Sequence, residues 1–144
     1  MTLTDCPALV AHALWRAKVA ARLSLGVVWV YEGLIPKILF LHAHSEQTDL
    51  VRRSGFYWIT PEVTLIMLGV VQTFVGIILI VGWHERAAVV LATLAMCVLI
   101  VFVATGDPAM LTDPFGALVK DLCLGACALT VWLLAPLVPQ RLPA

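Results

Sequence analysis

Five side chains able to carry charge or hydrogen bonds stand inside apolar runs: Glu32, Lys37, Gln72, Lys120 and Asp121. A charged side chain at the centre of a bilayer costs roughly 3 kcal/mol on the gentlest scales, and such residues are usually paired and functional. The stretch "VVWVYEGLIPKILFLH" holds Glu32, Pro36 and Lys37, "LGVVQTFVGIILIVGW" holds Gln72, and "GALVKDLCLGACALTVW" opens with Lys120 and Asp121. Carboxylates, ammonium groups and an amide in one place can bind the oxygen atoms of a polar ligand, hold a proton, or satisfy one another. The bland alternative for Lys37 and Lys120 is that they reach to lipid headgroups. Glu32 sits deeper. Gln72, near the middle of its span, is a candidate hydrogen-bond partner for it, as are Lys37 and Lys120, since a lone polar group in hydrocarbon is costly.

Other chemistries find less support. The four cysteines, Cys6, Cys97, Cys123 and Cys127, form no C-x-x-C pair. Cys123 and Cys127 are one helical turn apart, where a disulfide is strained, so the span cysteines read as small buried hydrophobes. His12, His42, His44 and His84 all lie away from the span centres, which leaves no axial ligand for a haem held between membrane helices. "HAHSEQTD" gathers His42, His44, Glu46 and Asp49, but the spacing matches no specific metal site and reads as a solvated loop. No catalytic residue and no metal ligand is assigned.

The elements that position the five residues follow from composition. The chain has 144 residues, 62% hydrophobic and 12% charged, with a mean hydropathy of +1.00. Soluble domains run at about 25% charged, and one small core cannot hide this much apolar surface from water. Nine basic and nine acidic residues cancel, so charge points to no nucleic-acid partner. Four apolar spans, at about 19–41, 61–83, 87–105 and 117–138, each reach the roughly 20 residues a crossing helix needs. The expected fold is all-α, a membrane four-helix bundle in a single transmembrane domain of residues 1–144. Residues 7–18 are expected to lie in the interface as an amphipathic helix or to extend the first span.

Arg16, Lys18, Arg22, Arg86 and Arg141 fall on one side of these spans, and only Arg52 and Arg53 lie in the loops of the other. By the positive-inside rule both termini are expected in the cytoplasm, the chain being a multi-pass protein of the inner (cytoplasmic) membrane; in a bacterium the 42–60 and 106–116 connections would then face the periplasm. Gly26, Trp29, Gly33 and Pro36 share one face of the first span, and Gly69 and Gly76 repeat the seven-residue spacing in the second. Glycine lets membrane helices approach closely, so these two faces are expected to pack together. The ionisable groups are one-sided: Glu32, Lys37, Glu62, Lys120 and Asp121 all fall in the outer half or its rim, and the inner half has little beyond Arg22 and the 83–86 turn.

The run "RLSLGVVWVYEGLIPKILF" resembles the first span of DoxX-like membrane proteins in its order of arginine, glycine, aromatic, glycine and lysine, here Arg22, Gly26, Trp29, Gly33 and Lys37. "LGVVQTFVGIILIVGW" and "DPFGALVKDLCLGACAL" are similar to the second and fourth spans of a subgroup sometimes fused to short-chain dehydrogenase-like domains. Two positions depart from that pattern, Gln72 where a glutamate is usual and Asp121 where an asparagine is usual. The resemblance implies a four-helix membrane subunit, and the family's namesake is associated with thiosulfate oxidation coupled to quinone.

Three functions are therefore expected to compete. The first is an accessory or anchoring subunit of a membrane oxidoreductase complex, not catalytic on its own, with other membrane or redox proteins as partners. It has no intrinsic cofactor, but its polar groups and Trp29 or Trp132 could border a quinone. The second is a small transporter or proton-linked permease, which four helices could build only as a homo-oligomer. The third is a purely structural subunit of a larger complex.

Overall fold

The computed structural model describes residues 6–41, 45–112 and 117–138. Its elements are α1 (Cys6–Leu34), a wide turn at Ile35–Leu39, α2 (Ser45–Ser54), α3 (Pro61–Val81), α4 (Glu85–Gly106), a short 3-10 turn at Pro108–Leu111 and α5 (Ala117–Leu134). No strand occurs among the described residues. Three stretches are long and apolar enough to cross a membrane: Leu9–Leu39, Pro61–Val81 and Glu85–Gly106. Much of their outward surface is apolar, with Val27, Val70, Phe74, Leu91 and Leu94 all about half exposed or more. Only a bilayer solvates such a surface, and this is an integral membrane protein.

Residues 7–18 do not form a helix of their own. They are the first half of α1, whose 29 residues span about 43 Å at 1.5 Å per residue. That exceeds the roughly 30 Å of hydrocarbon, so one helix serves both stretches. Its far end is shaped by Pro36. Proline has no N–H to offer the carbonyl one turn back, that of Glu32. The backbone widens instead, with the Phe40 N–H donating to the Ile35 carbonyl at 2.9 Å. The Lys37 ammonium bends back and donates to the Glu32 carbonyl, also at 2.9 Å. Proline and lysine thus act together, one freeing a carbonyl and the other satisfying it.

Helices α1 and α3 run antiparallel in close contact. A methyl group built on Gly33 would stand 2.6 Å from the Gly69 carbonyl oxygen, and one on Gly69 would stand 2.7 Å from that of Gly33. Gly26 and Gly76 face each other in the same way two turns along, at 2.9 and 2.8 Å. Equal seven-residue spacings on antiparallel helices bring both pairs into register. Thr60 caps α3, its hydroxyl accepting from the Val63 N–H at 3.3 Å, with Pro61 at the first helical position. Gly82 ends it at φ +81°, and the N–H groups of Gly82 and Trp83 both donate to the Ile78 carbonyl. Any side chain at Gly82 would also collide with the Arg22 guanidinium.

Helix α5 packs against α1 and α4 and completes a core around Leu25, Trp29, Leu79, Ala92, Leu124 and Val131. Helix α2 was expected as part of a solvated loop. It instead lies across the end of the bundle, in contact with α3 and α4, and buries Val51 against Leu65 and Phe102. Its acidic start and basic end suit the helix dipole.

Candidate functional site

Glu32 is the hub of the α2 end. Its carboxylate meets the Lys120 ammonium at 2.9 Å and the Lys37 ammonium at 3.9 Å. The wide turn at Ile35–Leu39 delivers Lys37 and the first turn of α5 delivers Lys120, so the cluster ties the exit of α1 to the entry of α5. Lys37 is buried, whereas Glu32 and Lys120 are partly open. Asp121 lies beside them and makes no ion pair among the described residues.

These groups form the polar wall of two adjoining cavities. The larger, about 180 Å³, lies beneath α2 and is otherwise lined by Gln47, Leu50, Val51, Leu65, Leu68, Leu99, Phe102 and Met110, among others. The smaller, about 30 Å³, reaches deeper and is bordered by Trp29 and Gln72. Glu32, Leu99, Lys120 and Asp121 line both. Three buried polar atoms on these walls have no partner: the Trp29 indole nitrogen and the side-chain oxygens of Gln47 and Gln72. Native proteins leave few such atoms unsatisfied, because each costs about 1–3 kcal/mol. Here two border the small cavity and one, on Gln47, the larger.

All five singled-out polar residues therefore meet at these cavities. Gln72, however, does not bond Glu32. The amide faces the small cavity while Lys120 and Lys37 take the carboxylate, since a charged donor outcompetes a neutral amide for it. Gly26, Gly33, Gly69 and Gly76 stand behind this wall as the α1–α3 seam, whereas Trp29, expected on the same packing face, lies in the core and borders the small cavity. Cys97 and Cys123 are exposed on bilayer-facing surface and are not buried; Cys127 is half-buried. His42, His44 and Arg141 lie outside the described residues, as does the Cys6 side chain. Among the described residues no three His, Cys, Asp or Glu groups come together as metal donors.

A second polar centre went unforeseen. At the opposite end, where α3 turns into α4, Glu85 accepts from Lys18 at 3.1 Å and from Arg22 at 2.5 Å. Lys18 is fully buried and also donates to the Val138 carbonyl at 2.9 Å. This triad joins α1, α4 and the end of α5. Gln47 was likewise missed, because α2 was.

A family model of the DoxX-like family matches residues 26–131. The chain belongs to the DoxX-like family. The matched stretch contains every residue of the Glu32 cluster, together with Gln47, Gln72 and Glu85, whereas Lys18 and Arg22 precede it. No curated protein and no solved structure matches the chain. Within this DoxX-like protein the cavity beneath α2 is thus framed entirely by family sequence.

Proposed function

We propose that this protein is a small multi-pass subunit of the cytoplasmic membrane that binds the ring headgroup of a quinone-class molecule beneath α2 and anchors a redox partner. In this reading α5 is a fourth crossing, both termini are cytoplasmic, and the α2 end faces the periplasm. The observation that carries it is the cavity under α2, apolar on most sides, with one charged wall and the unpartnered Gln47 oxygen, adjoined through that wall by a small cavity with the unpartnered Trp29 and Gln72 atoms.

Size and chemistry fit such a headgroup. An apolar cavity of about 150 Å³ holds one benzene ring, so 180 Å³ accepts a single substituted ring. It is too small for a drug-sized ligand, which takes roughly 300–1,000 Å³. Lys120 is paired with Glu32 but keeps further N–H donors for a ring oxygen. Glu32 and Asp121 offer acceptors for the hydroxyl groups of a reduced ring, and the Trp29 N–H and Gln72 oxygen offer a donor and an acceptor in the adjoining small cavity to a substituent that reaches it. Leu65, Leu68 and Phe102 flank the ring and exclude water. A bound quinone supplies two-electron carrier chemistry, and the chain's own residues bind, orient and desolvate it. Catalysis then belongs to the partner.

A permease reading draws less from the geometry. Beyond the small cavity, Leu25, Trp29, Leu79 and Val131 are at most 3% exposed, and the Lys18–Glu85–Arg22 triad fills the far end. The test is gentle extraction of tagged protein, with quinone measured in a solvent extract and co-purifying proteins identified by mass spectrometry. Stoichiometric quinone that falls in Lys120→Met supports the reading. Quinone-free protein whose unfolding is not shifted by an added benzoquinone analogue refutes it.

A further inference from the structure

Away from the cavity and the ion triad, the α4–α5 face carries a groove of about 310 Å³ that opens to the bilayer. Its walls are Val89, Val90, Leu94, Ala128 and Leu129, and its floor is Gly125, whose missing side chain leaves open space. Trp132 closes one end, and the Arg86 guanidinium lies over that indole at 5.3 Å. Just beyond, His84, Glu85, Arg86, Ala87 and Ala135 border an exposed hollow of about 350 Å³, the Glu85 carboxylate being neutralised there by Lys18 and Arg22. Arg86 has no carboxylate partner among the described residues. Its neighbour in the chain, Glu85, serves Lys18 and Arg22.

The geometry points to a bound anionic phospholipid, its phosphate at Arg86 and His84 and one acyl chain in the α4–α5 groove. The dimensions agree. From Arg86 to Leu94 is eight residues, about 12 Å along the helix, which places the groove in hydrocarbon when Arg86 is at headgroup depth. Charge selects the headgroup. Among the described residues at this end, the summed charge of Arg16, Lys18, Arg22, Glu85 and Arg86 is positive. The apolar walls alone give no preference over bulk lipid, because lipid tails are as apolar as leucine. Retention therefore depends on Arg86 for the phosphate and on Gly125 for the space.

The test uses the full-length protein in mild detergent, stripped of native lipid and titrated separately with phosphatidylglycerol and phosphatidylcholine. Bound lipid is counted by native mass spectrometry. Wild type should retain phosphatidylglycerol preferentially. Arg86→Ala should weaken that binding about five-fold, the effect of one basic residue at a membrane surface, and Arg86→Lys should restore most of it. Gly125→Leu fills the groove and should abolish retention of the lipid; its first carbon meets Met96 at an ordinary 3.8 Å, and an unfolding midpoint equal to that of wild type checks that the fold is kept. Equal binding by wild type, Arg86→Ala and Gly125→Leu would overturn the site. Efficient Gly125→Cys disulfide dimerisation in native membranes would also overturn it, by assigning the groove to a second copy.

Discussion

Replacing Glu85 by alanine removes the carboxylate that, among the described residues, both Lys18 and Arg22 touch. The Lys18 side chain is 0% exposed, that of Arg22 11% and that of Glu85 3%, so water reaches none of them freely. Breaking a buried ion pair by deleting one partner costs about 3–5 kcal/mol, because the remaining charge is left uncompensated. Lys18 keeps its bond to the Val138 carbonyl, which places the expected loss near the lower figure, about 3 kcal/mol. The Arg22 Nε already lacks a partner, so this guanidinium has little left once Glu85 is gone. Equilibrium unfolding of purified protein in mixed detergent micelles, titrated with a denaturing detergent, reads the change. Adding Lys18→Met to Glu85→Ala should recover part of the loss, since the two sites share one interaction and their effects are not additive. A Glu85→Ala variant within about 0.5 kcal/mol of wild type, the range of ordinary surface substitutions, would refute the claim that the triad clamps α1 to α4.

Other expectations follow from the same geometry. Gly33→Ala puts a methyl 2.6 Å from the Gly69 carbonyl and 2.7 Å from the Thr73 hydroxyl; overpacking of this kind costs about 1–3 kcal/mol, measurable in the same unfolding assay. Gln72→Leu removes a buried, unpartnered amide, so it should stabilise the ligand-free protein by about 1 kcal/mol while weakening ligand binding. Arg53 reaches Asp107 at 3.3 Å and both are solvent-accessible; Arg53→Ala should therefore change stability by less than about 1 kcal/mol, in contrast to Glu85→Ala.

The glycine seam was legible in the sequence because both of its halves are local. Gly26 and Gly33, like Gly69 and Gly76, are seven apart, and equal spacings on antiparallel helices must come into register. The family resemblance was legible for the same reason, since its motif lies in one continuous span. The gathering of Glu32, Lys37, Lys120 and Asp121 at one end followed from alternating span direction alone. Which of them bond could not be read, because that depends on helix rotation about its axis. The Lys18–Glu85 pair is 67 residues apart in the chain, and Glu85 read simply as part of a turn. One signal was present: Lys18 and Arg22 are one turn apart on a single helix face, an arrangement that asks for an anion. Helix α2 escaped because its charges outweigh its apolar residues, and only tertiary contact makes Val51 part of a core.

The central claim is that the cavity beneath α2 receives a quinone-class headgroup at the Glu32–Lys120 wall. Photolabelling of purified protein with a photoreactive benzoquinone analogue, followed by peptide mapping, tests it directly. Labelling is expected on α2 around Gln47–Val51, on α1 around Glu32 and at the start of α5, competed by unlabelled quinone and reduced in Lys120→Met. Labelling spread evenly over the lipid-facing surfaces of α3 and α4, and unchanged in Lys120→Met, would contradict it.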